Sequence, residues 1–318
     1  MSDAISRVKP FKSGFVAIVG RPNAGKSTLV NTLVGRKVAI VSPKPQTTRN
    51  RIQGIINRDD AQIVLIDTPG IHKPGSALNR MMMDELQHAL DGIDVLSLIV
   101  DASVDFGAGD RFSLEWVTRF HGPVFLLLNK VDRVRKPALL PLIDRYRRAY
   151  DFAEIYPISA LTGEGCFDLV KGWLKYLPEA PPYFPADQFT DQPERFLAAE
   201  IIREKAILVT REEVPHAVAV MIDSFEESDK IIRIRATIYV EREGQKGILV
   251  GKQGATIKNI GTQARVELEE ILGTKVFLET FVRVQPRWRE NPSIVRQLDW
   301  RRQLEQLSER QESESAKN

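Results

Sequence analysis

Two different patterns of apolar and polar positions divide the chain. In the first half, short apolar runs alternate with segments whose apolar residues recur at helical spacing. This alternation is typical of an α/β fold, in which helices cover both faces of a sheet. The predicted strands are 14–19, 51–56, 62–66, 94–100, 124–128 and 154–157, and the predicted helices are 26–33, 76–89, 109–120, 137–149 and 165–176.

A proline-rich segment ends this alternation and predicts a stiff linker. After it the predicted order is helix 195–209, strand 217–225, strand 231–240, a short helical turn, helix 255–272 and strand 275–284. That order indicates a separate α+β domain, and Asn291-Pro292 predicts the start of one more helix. The predicted boundaries are 1–178 for the first domain, 179–194 for the linker, 195–290 for the second domain and 291–318 for a charged tail.

Composition narrows the class of protein. The 318 residues are 43% hydrophobic and 27% charged, as in ordinary globular proteins. A single cysteine, Cys166, excludes an internal disulfide framework and agrees with a reducing cytoplasmic compartment. The longest apolar runs are far shorter than the roughly 18 residues of a membrane span, and residues 1–12 lack the apolar core of a signal peptide. The four histidines are scattered, so a structural zinc site is not expected, and the net charge of +3 neither demands nor excludes a nucleic acid.

The first chemical motif is G-R-P-N-A-G-K-S, from Gly20 to Ser27, which directly follows an apolar run. It fits the phosphate-loop pattern, in which glycines let the backbone wrap around phosphates and the next helix points its N-terminus at them. Lys26 is predicted to reach the terminal phosphates and Ser27 to ligate magnesium. The predicted nucleotide contacts here are Gly20, Asn23, Ala24, Gly25, Lys26, Ser27 and Thr28.

The second motif, Asn129-Lys130-Val131-Asp132, predicts which base is bound. It ends an apolar strand, where ligands of open α/β sheets bind. The Asp132 carboxylate can accept the N1 and N2 hydrogens of guanine, which adenine does not offer. Asn129 would fix the loop, and the Lys130 stem would lie over the base. Ser159, Ala160 and Leu161 follow the last strand, and the Ala160 backbone N–H is predicted to donate to guanine O6.

Two further loops are predicted to sense the γ-phosphate. In Asp67-Thr68-Pro69-Gly70, Asp67 would hold magnesium through water and the Gly70 N–H would contact the γ-phosphate. In Gln46-Thr47-Thr48-Arg49 a threonine would bind both magnesium and the γ-phosphate, and Thr48 is preferred to Thr47 because it precedes the arginine. The predicted catalytic residues are thus Lys26, Thr48, Asp67 and Gly70, and the predicted magnesium ligands are Ser27, Thr48 and Asp67.

A second glycine loop, Gly251-Lys252-Gln253-Gly254, lies between an apolar run and a helix with apolar residues at helical spacing. G-x-x-G alone is a weak pattern, but inside an α-β-β-α-α-β order it resembles a type II KH domain. Such a loop clamps about four single-stranded nucleotides. The predicted RNA contacts are Gly251, Lys252, Gln253, Gly254 and Lys258. Lys246 and Arg265 add positive charge, and Arg233 and Arg235 either add to it or solvate the outer face of their strand.

The chain resembles the GTPase domain of the Era family over residues 14 to about 177. The resemblance rests on five motifs taken together, which are G-R-P-N-A-G-K-S, Q-T-T-R, D-T-P-G-I, N-K-V-D and S-A-L. With the KH-like part the resemblance extends to about residue 300. It implies a Ras-like P-loop domain with a mixed, mostly parallel six-stranded sheet, which hydrolyses GTP to GDP with Mg²⁺. Ile71 stands where many GTPases place a water-orienting glutamine, so hydrolysis must rely on something else. Asn23 resembles the residue with which some relatives hold K⁺, and we expect slow intrinsic turnover that K⁺ or a ribosomal partner raises.

The resemblance also implies partners. These are the 3′ region of 16S ribosomal RNA and the precursor of the 30S subunit. The resemblance further implies that the chain is a cytoplasmic monomer and that it associates peripherally with the inner face of the cell membrane. The segment 287–302 is too mixed in charge to support membrane association by itself. Two alternatives stay open. One is a tRNA-modifying enzyme driven by a similar GTPase domain, although such relatives carry a terminal cysteine and residues 315–318 contain none. The other is an RNA-binding scaffold with a vestigial nucleotide site.

Overall fold

The computed structural model describes residues 10–44, 46–71, 75–210 and 214–297. Predictions for residues 1–9 and for the tail beyond residue 297 lie outside these ranges. The strands are β1 (Lys12–Val19), β2 (Ile52–Asn57), β3 (Ala61–Asp67), β4 (Val95–Asp101), β5 (Val124–Asn129), β6 (Glu154–Pro157), β7 (Ala219–Ser228), β8 (Ile231–Val240) and β9 (Lys275–Val284). The helices are α1 (Lys26–Val34), α2 (Ala77–His88), α3 (Ala108–Val117), α4 (Leu139–Ala149), α5 (Cys166–Tyr176), α6 (Glu194–Leu208), α7 (Val214–Ala217), α8 (Glu243–Val250), α9 (Ala255–Leu272) and α10 (Pro292–Gln297).

The predicted strands and helices are all present, with small differences at their ends. The prediction was wrong at residue 217. It was predicted to start a strand, but it is the last residue of helix α7. Pro215 fits the first turn of a helix because its missing N–H has no partner there. Helix α3 also ends earlier than predicted, at Val117. None of the helices in the described ranges is long and apolar enough to cross a membrane.

The first compact unit comprises Met1–Ala39, Arg51–His72 and Glu85–Asp191. Its six strands lie in the order β2-β3-β1-β4-β5-β6; β2 is antiparallel to β3, and the other pairs are parallel. This confirms the mixed, mostly parallel sheet. All residues of β3 and β5 are buried, as expected for strands covered on both faces. The carboxyl ends of β1, β3 and β5 therefore bring the three predicted nucleotide motifs to one edge of the sheet.

The proline-rich segment packs on this first unit as far as Asp191. Glu179 forms a β-bridge with Lys12, and the Gln62 side chain is hydrogen-bonded to the backbone of Phe184 in both directions. Phe189 packs against the apolar core of the unit. These contacts attach the segment along most of its length, which a free tether would not show.

The second compact unit comprises Ile40–Asn50, Lys73–Asp84 and Gln192–Asn318. Its three strands lie in the order β7-β8-β9, with β7 antiparallel and β9 parallel to β8. Helices α6 and α9 pack on this sheet through a core that includes Ile201, Ile238 and Leu268, all fully buried. This is the α+β order predicted for the second half of the chain.

Two segments from the first half of the sequence belong to this second unit. The Arg49 Nη1 donates to the carbonyl oxygen of Val218 at 2.8 Å, and the guanidinium lies 5.3 Å from the centre of the Trp288 ring. Leu78 and Met82 of α2 share a buried apolar cluster with Trp288. The compact units are thus discontinuous in sequence, whereas the predicted domains are continuous, and the predicted boundaries stay a prediction.

Candidate functional site

The phosphate loop joins β1 to α1, as predicted. Gly25 has φ of 103°, a left-handed conformation that side chains rarely adopt. A Cβ at Gly25 would also lie 2.2 Å from the Asn129 Nδ2. The loop therefore requires glycine at this position for two reasons, its backbone angle and the close approach of Asn129.

Lys26 is held inside the phosphate loop. Its Nζ donates to the carbonyl oxygens of Gly20 and Arg21 at 3.1 and 3.0 Å, and the residue is only 6% exposed. Burial lowers the pKa of Lys26 to about 8, against the opposing effect of Asp67. A phosphate anion would favour the charged form of this lysine, so the position suits the predicted contact with the terminal phosphates.

The predicted magnesium ligands Ser27 and Asp67 lie side by side. The Ser27 Oγ donates to the Asp67 Oδ2 at 2.6 Å, and Asp67 is fully buried at the end of β3. A hydroxyl and a carboxylate are hard oxygen donors, which fit a Mg²⁺ ion that takes its other ligands from phosphates and water. In the described ranges no group of three or more His, Cys, Asp or Glu residues could hold a metal by itself.

The third predicted magnesium ligand, Thr48, belongs to the second compact unit and is buried there, at 6% exposure. The neighbouring Thr47 uses its hydroxyl in a hydrogen bond to the carbonyl oxygen of Lys44, at 2.7 Å. This bond agrees with the preference for Thr48, whose contact with magnesium stays a prediction.

The loop after β3 lies against the phosphate loop. The Ile71 backbone N–H donates to the Gly20 carbonyl oxygen at 3.1 Å, and Ile71 is 4% exposed. A Cβ at Gly70 would lie 2.8 to 2.9 Å from atoms of Pro22, so only glycine permits this approach. The buried, apolar Ile71 side chain has no group that can orient a water molecule.

Asn129 connects the phosphate loop with the loop after β6. Its Nδ2 donates to the Ala24 carbonyl oxygen at 2.7 Å, and its Oδ1 accepts the Ala160 N–H at 2.8 Å. This is the loop-fixing role predicted for Asn129. The Ala160 N–H, predicted to reach guanine O6, is directed at Asn129 in this arrangement, and Leu161 is 71% exposed.

The other base-reading residues are also oriented by neighbours. The Ser159 Oγ donates to the Asp132 Oδ1 at 2.6 Å. The Lys130 Nζ donates to the Asn23 carbonyl oxygen at 2.8 Å and to the Asp101 Oδ2 at 2.5 Å. These contacts place Lys130 beside the phosphate loop and Asp132 beside Ser159 of the loop after β6. The contact of both residues with the purine stays a prediction.

Asp101 is a site residue that the sequence reasoning missed. Burial would raise the pKa of its carboxyl, but hydrogen bonds from Lys130 and Ser103 outweigh burial and lower that pKa. It ends the apolar strand β4 at the same sheet edge as the other motifs, and this position was a signal in the sequence. Asp110 was missed too; it pairs with Arg21 of the phosphate loop at 3.0 Å.

The second glycine loop forms a tight turn between α8 and α9. Gly251, Gln253 and Gly254 all have positive φ, of 72°, 52° and 79°. Lys252 and Gln253 are exposed at its tip. Helix α9 starts directly after the loop, so its free backbone N–H groups lie beside the G-x-x-G turn, as a phosphate clamp requires.

A groove of about 310 Å³ lies between α9 and β9, and Lys258 and Arg265 line it. Arg265 is paired with Glu269 at 2.7 Å, so its charge is partly compensated. Of the outer-strand arginines, Arg235 pairs with Glu279 at 3.3 Å. Within the described part of the chain, Lys252 and Lys258 form no ion pair, which leaves both ammonium groups available to an anionic ligand.

The phosphate loop, the Ser27–Asp67 pair and the guanine-reading loop define a P-loop GTP-binding protein, which here carries a second α+β unit with a G-x-x-G turn. Comparison with known proteins agrees. A family model described as a 50S ribosome-binding GTPase matches residues 15–130, and a KH domain model matches residues 213–289. The GTPase Era of Syntrophus aciditrophicus (strain SB) is 51% identical over 292 residues, which cover 91% of this chain and 95% of that protein.

Solved structures give the same result. An Era variant of Aquifex aeolicus bound to GDP·AlF₄⁻ is 44% identical with a TM-score of 0.88, over 91% of this chain and 99% of that one. An Era structure in complex with MgGDPNP and nucleotides 1506–1542 of 16S ribosomal RNA matches with the same values. The chain belongs to the Era family of GTPases. This confirms the predicted family, the Ras-like and KH folds and the GTPase activity.

Proposed function

We propose that this GTPase is a nucleotide-controlled RNA-binding switch that acts in assembly and maturation of the 30S ribosomal subunit. One observation carries the proposal: the chain has two backbone cradles for phosphate, the nucleotide loop from Gly20 to Ser27 and the clamp from Gly251 to Gly254. The Era relative solved with MgGDPNP and the 16S fragment supports this pairing of ligands. The proposed RNA is the single-stranded 3′ region of 16S ribosomal RNA.

In the proposed nucleotide site, Lys26 binds the terminal phosphates of GTP. Ser27 would hold Mg²⁺ directly and Asp67 through water, and the bound ion would neutralise phosphate charge. Thr48 would complete its ligands in the GTP state. The Gly70 N–H contacts the γ-phosphate. The close approach of Gly70 to Pro22 supports this role, because a shift of the phosphate loop would displace the loop after β3.

The proposed hydrolysis does not use a glutamine. Ile71 is buried and hydrogen-bonded through its backbone, so a K⁺ ion near Asn23 or a ribosomal partner supplies the missing charge neutralisation. Asn23 has φ of 63° in the phosphate loop, a conformation that asparagine tolerates better than most residues. Single-turnover GTP hydrolysis in matched K⁺ and Na⁺ buffers tests this point, and equal rates would remove the K⁺ site.

In the proposed RNA site, the G-x-x-G turn and the N-terminus of α9 bind the RNA backbone. Lys252 and Lys258 contribute the unpaired positive charges, and the groove between α9 and β9 takes the bases. The bound nucleotide controls whether this surface is available, because the segment with Thr48 belongs to the same compact unit.

The decisive experiment measures binding of a synthetic RNA with the sequence of the 16S 3′ region. We expect tighter binding with a non-hydrolysable GTP analogue than with GDP. A Lys252→Ala, Lys258→Ala double variant should bind more weakly, and its log-log salt slope should fall by roughly 0.7 per lost phosphate contact. The matched control replaces Lys230 and Lys275, two exposed lysines that lie at the other end of α9 in the same unit.

An unchanged salt slope in the double variant would remove Lys252 and Lys258 from the RNA site. Absence of GTP binding would exclude the switch and favour the RNA-binding scaffold. Preference for a tRNA over the ribosomal fragment would favour the RNA-modification alternative. The proposed compartment is the cytoplasm, in agreement with the buried free thiol of Cys166. Peripheral membrane association and a monomeric state stay predictions.

A further inference from the structure

The second compact unit contains a small, partly enclosed cavity that the proposed switch does not use. It lies between the end of the segment 40–50, helix α2, helix α6 and strand β7, and its volume is about 30 Å³. A single water molecule needs about 10–15 Å³ by this measure. The cavity therefore has room for a ligand larger than one water molecule.

Three arginines line this cavity, and each keeps one buried N–H group without an acceptor. Among the described residues, the Arg49 Nε, the Arg195 Nε and the Arg203 Nη1 have no hydrogen-bond partner. Arg49 and Arg203 are 5% and 2% exposed. Buried donors are almost always satisfied in folded proteins, because an unpaired one has lost its hydrogen bonds to water without replacement. Three in one cavity therefore indicate a ligand with acceptor atoms.

The other N–H groups of these arginines are already in use. The Arg49 Nη1 and Nη2 donate to backbone carbonyl oxygens of Val218 and His216, at 2.8 and 3.2 Å. The Arg195 Nη2 donates to a backbone carbonyl oxygen in β7. These bonds fix the guanidinium groups in place, so the unpaired N–H groups cannot turn toward solvent without breaking them.

The residues that line the cavity carry more positive than negative charge, and the carboxylate of Asp223, outside the lining, acts on Arg195. The charged lining consists of three arginines and one carboxylate, Glu200, and that carboxylate is held by Arg203 in a two-bond ion pair at 2.6 and 2.8 Å. Burial, together with the charge of Arg203, lowers the pKa of Arg49. Water can satisfy hydrogen bonds but cannot cancel charge, so an anion compensates this site better than water does.

We propose that this cavity is a binding site for a small phosphate-type oxyanion, held by Arg49, Arg195 and Arg203. Arginine N–H groups bind phosphate oxygens through charge-assisted hydrogen bonds. Asn50 also lines the cavity, and its Oδ1 is a fourth buried atom there without a partner. A hydrogen phosphate ion has both acceptor oxygens for the arginines and a hydroxyl that can donate to Asn50.

The position of the site gives it a role in the molecule. Arg49 and Asn50 directly follow Thr48, while Arg195 and Arg203 belong to α6. The Arg203 Nη2 also donates to the carbonyl oxygen of Thr47. A bound anion therefore fastens the predicted γ-phosphate sensor segment to α6, independently of any RNA.

The test uses the full-length chain saturated with GDP and Mg²⁺, so that the phosphate loop is filled. Inorganic phosphate is titrated at constant ionic strength, with chloride as the balancing ion, and binding is followed by calorimetry and by the unfolding temperature. We expect the unfolding temperature to rise with the logarithm of phosphate concentration, as for a ligand of the folded state. Arg195→Met should weaken phosphate binding by about tenfold or more, because it removes a charged hydrogen bond.

Ala199→Met is the second variant, since Ala199 lines the cavity and a longer side chain would fill it while all three arginines remain. It should also abolish the response to phosphate. Arg283→Met, at an exposed arginine of β9, is the control and should respond like the unmodified chain. A phosphate response that persists in both cavity variants would mean that phosphate binds elsewhere. That result, absence of any response, or an equal response to chloride alone would overturn the proposal.

Discussion

The Asn129 side chain donates to the carbonyl oxygen of Ala24 at 2.7 Å, across 105 residues of sequence. This bond fixes the guanine-reading loop directly to the phosphate loop. The loops predicted to bind the two ends of a nucleotide, its base and its phosphates, are therefore joined by a hydrogen bond. Gly25 makes the bond possible, because any side chain there would occupy the position of the Asn129 amide.

Gly25→Ala should therefore disrupt nucleotide binding beyond its backbone strain. The new Cβ would lie 2.2 Å from the Asn129 Nδ2 and displace it. Loss of the Asn129 hydrogen bonds should weaken GDP binding by roughly 10- to 100-fold, or about 1–3 kcal/mol. Fluorescence titration with a labelled GDP measures the change.

Gly35→Ala is the matched control for this prediction. Gly35 also has a positive φ, 74°, but a Cβ there meets no atom within 4 Å. We expect a stability loss of about 1 kcal/mol in urea unfolding and unchanged GDP affinity. Equal GDP affinities for the two variants would show that Asn129 does not depend on Gly25.

Asp132→Asn should reduce the preference for guanine over adenine nucleotides. The amide NH₂ of asparagine faces the N–H groups of guanine and lacks the carboxylate charge, which costs about 1.5–3 kcal/mol for a charged hydrogen bond. Xanthine carries a carbonyl where guanine carries its amino group, so XTP binding should improve. Competition titrations with GTP, ATP and XTP measure this.

The control for that change is Asp151→Asn, an exposed aspartate of the same unit. Ser159→Ala should have a smaller effect of the same kind, because the Ser159 hydroxyl only orients the Asp132 carboxylate. If Asp132→Asn kept the full preference for GTP over ATP, Asp132 would not read the base.

Stability of the nucleotide-free chain should rise between pH 8 and pH 9 because of Lys26. Its pKa is about 8 in the folded state, and its ordinary value of 10.5 applies in the unfolded state. Below pH 8 both states are protonated and the penalty of burying the charge is present. Above pH 8 the folded state loses the proton while the unfolded state keeps it, so the free energy of unfolding increases, by about 1 kcal/mol over this interval.

Urea unfolding at several pH values between 7 and 9 measures this slope. Lys26→Met keeps the apolar stem and removes the titration, so its stability should not rise with pH; Lys252→Met, at an exposed lysine, should behave like the unmodified chain. The pKa of Cys166 is raised to about 11 by burial, and its contribution has the opposite sign, which is why the interval ends at pH 9. Parallel slopes in all three proteins would contradict the assignment to Lys26.

Gly254→Ala should weaken RNA binding without unfolding the second unit. Gly254 has φ of 79°, and a Cβ there meets no protein atom within 4 Å, so it would stand where an RNA phosphate approaches. Gly273→Ala is the control at the other end of α9, with φ of 66° and equally open space. Both should lose about 1 kcal/mol of stability, but only Gly254→Ala should bind the 16S fragment more weakly.

Filter-binding measurements at two salt concentrations separate the two variants. Since the backbone strain is shared, a difference in RNA affinity can come only from the place of the added methyl group. Equal RNA affinities would mean that phosphates do not approach the turn at Gly254.

Local sequence patterns were sufficient for most of the fold. Strands such as β3 and β5 consist wholly of buried residues, and their apolar runs predict them directly. The nucleotide motifs were predictable because they follow such strands. Helix α7 was not predicted, since four residues cannot show a helical period and only Pro215 indicated a helix start.

Local sequence patterns could not predict contacts between segments that are distant in the chain. The Lys130–Asp101 pair joins the ends of two strands, and its partner could be chosen only once the strand order was known. The same holds for Arg49, which in the sequence served only to choose Thr48 over Thr47 and which is 95% buried beside Trp288 and Val218. Packing of this kind depends on how elements meet in space, and a single sequence does not record it.

The membership of segments 40–50 and 75–84 in the second unit limits how the molecule can evolve. Arg49 depends on carbonyl groups of Val218 and His216, and Leu78 shares a core with Trp288. A KH region transplanted from a distant relative would arrive without its matching partners from the GTPase half. We therefore expect functional chimaeras to require exchange of these short segments together with the C-terminal region.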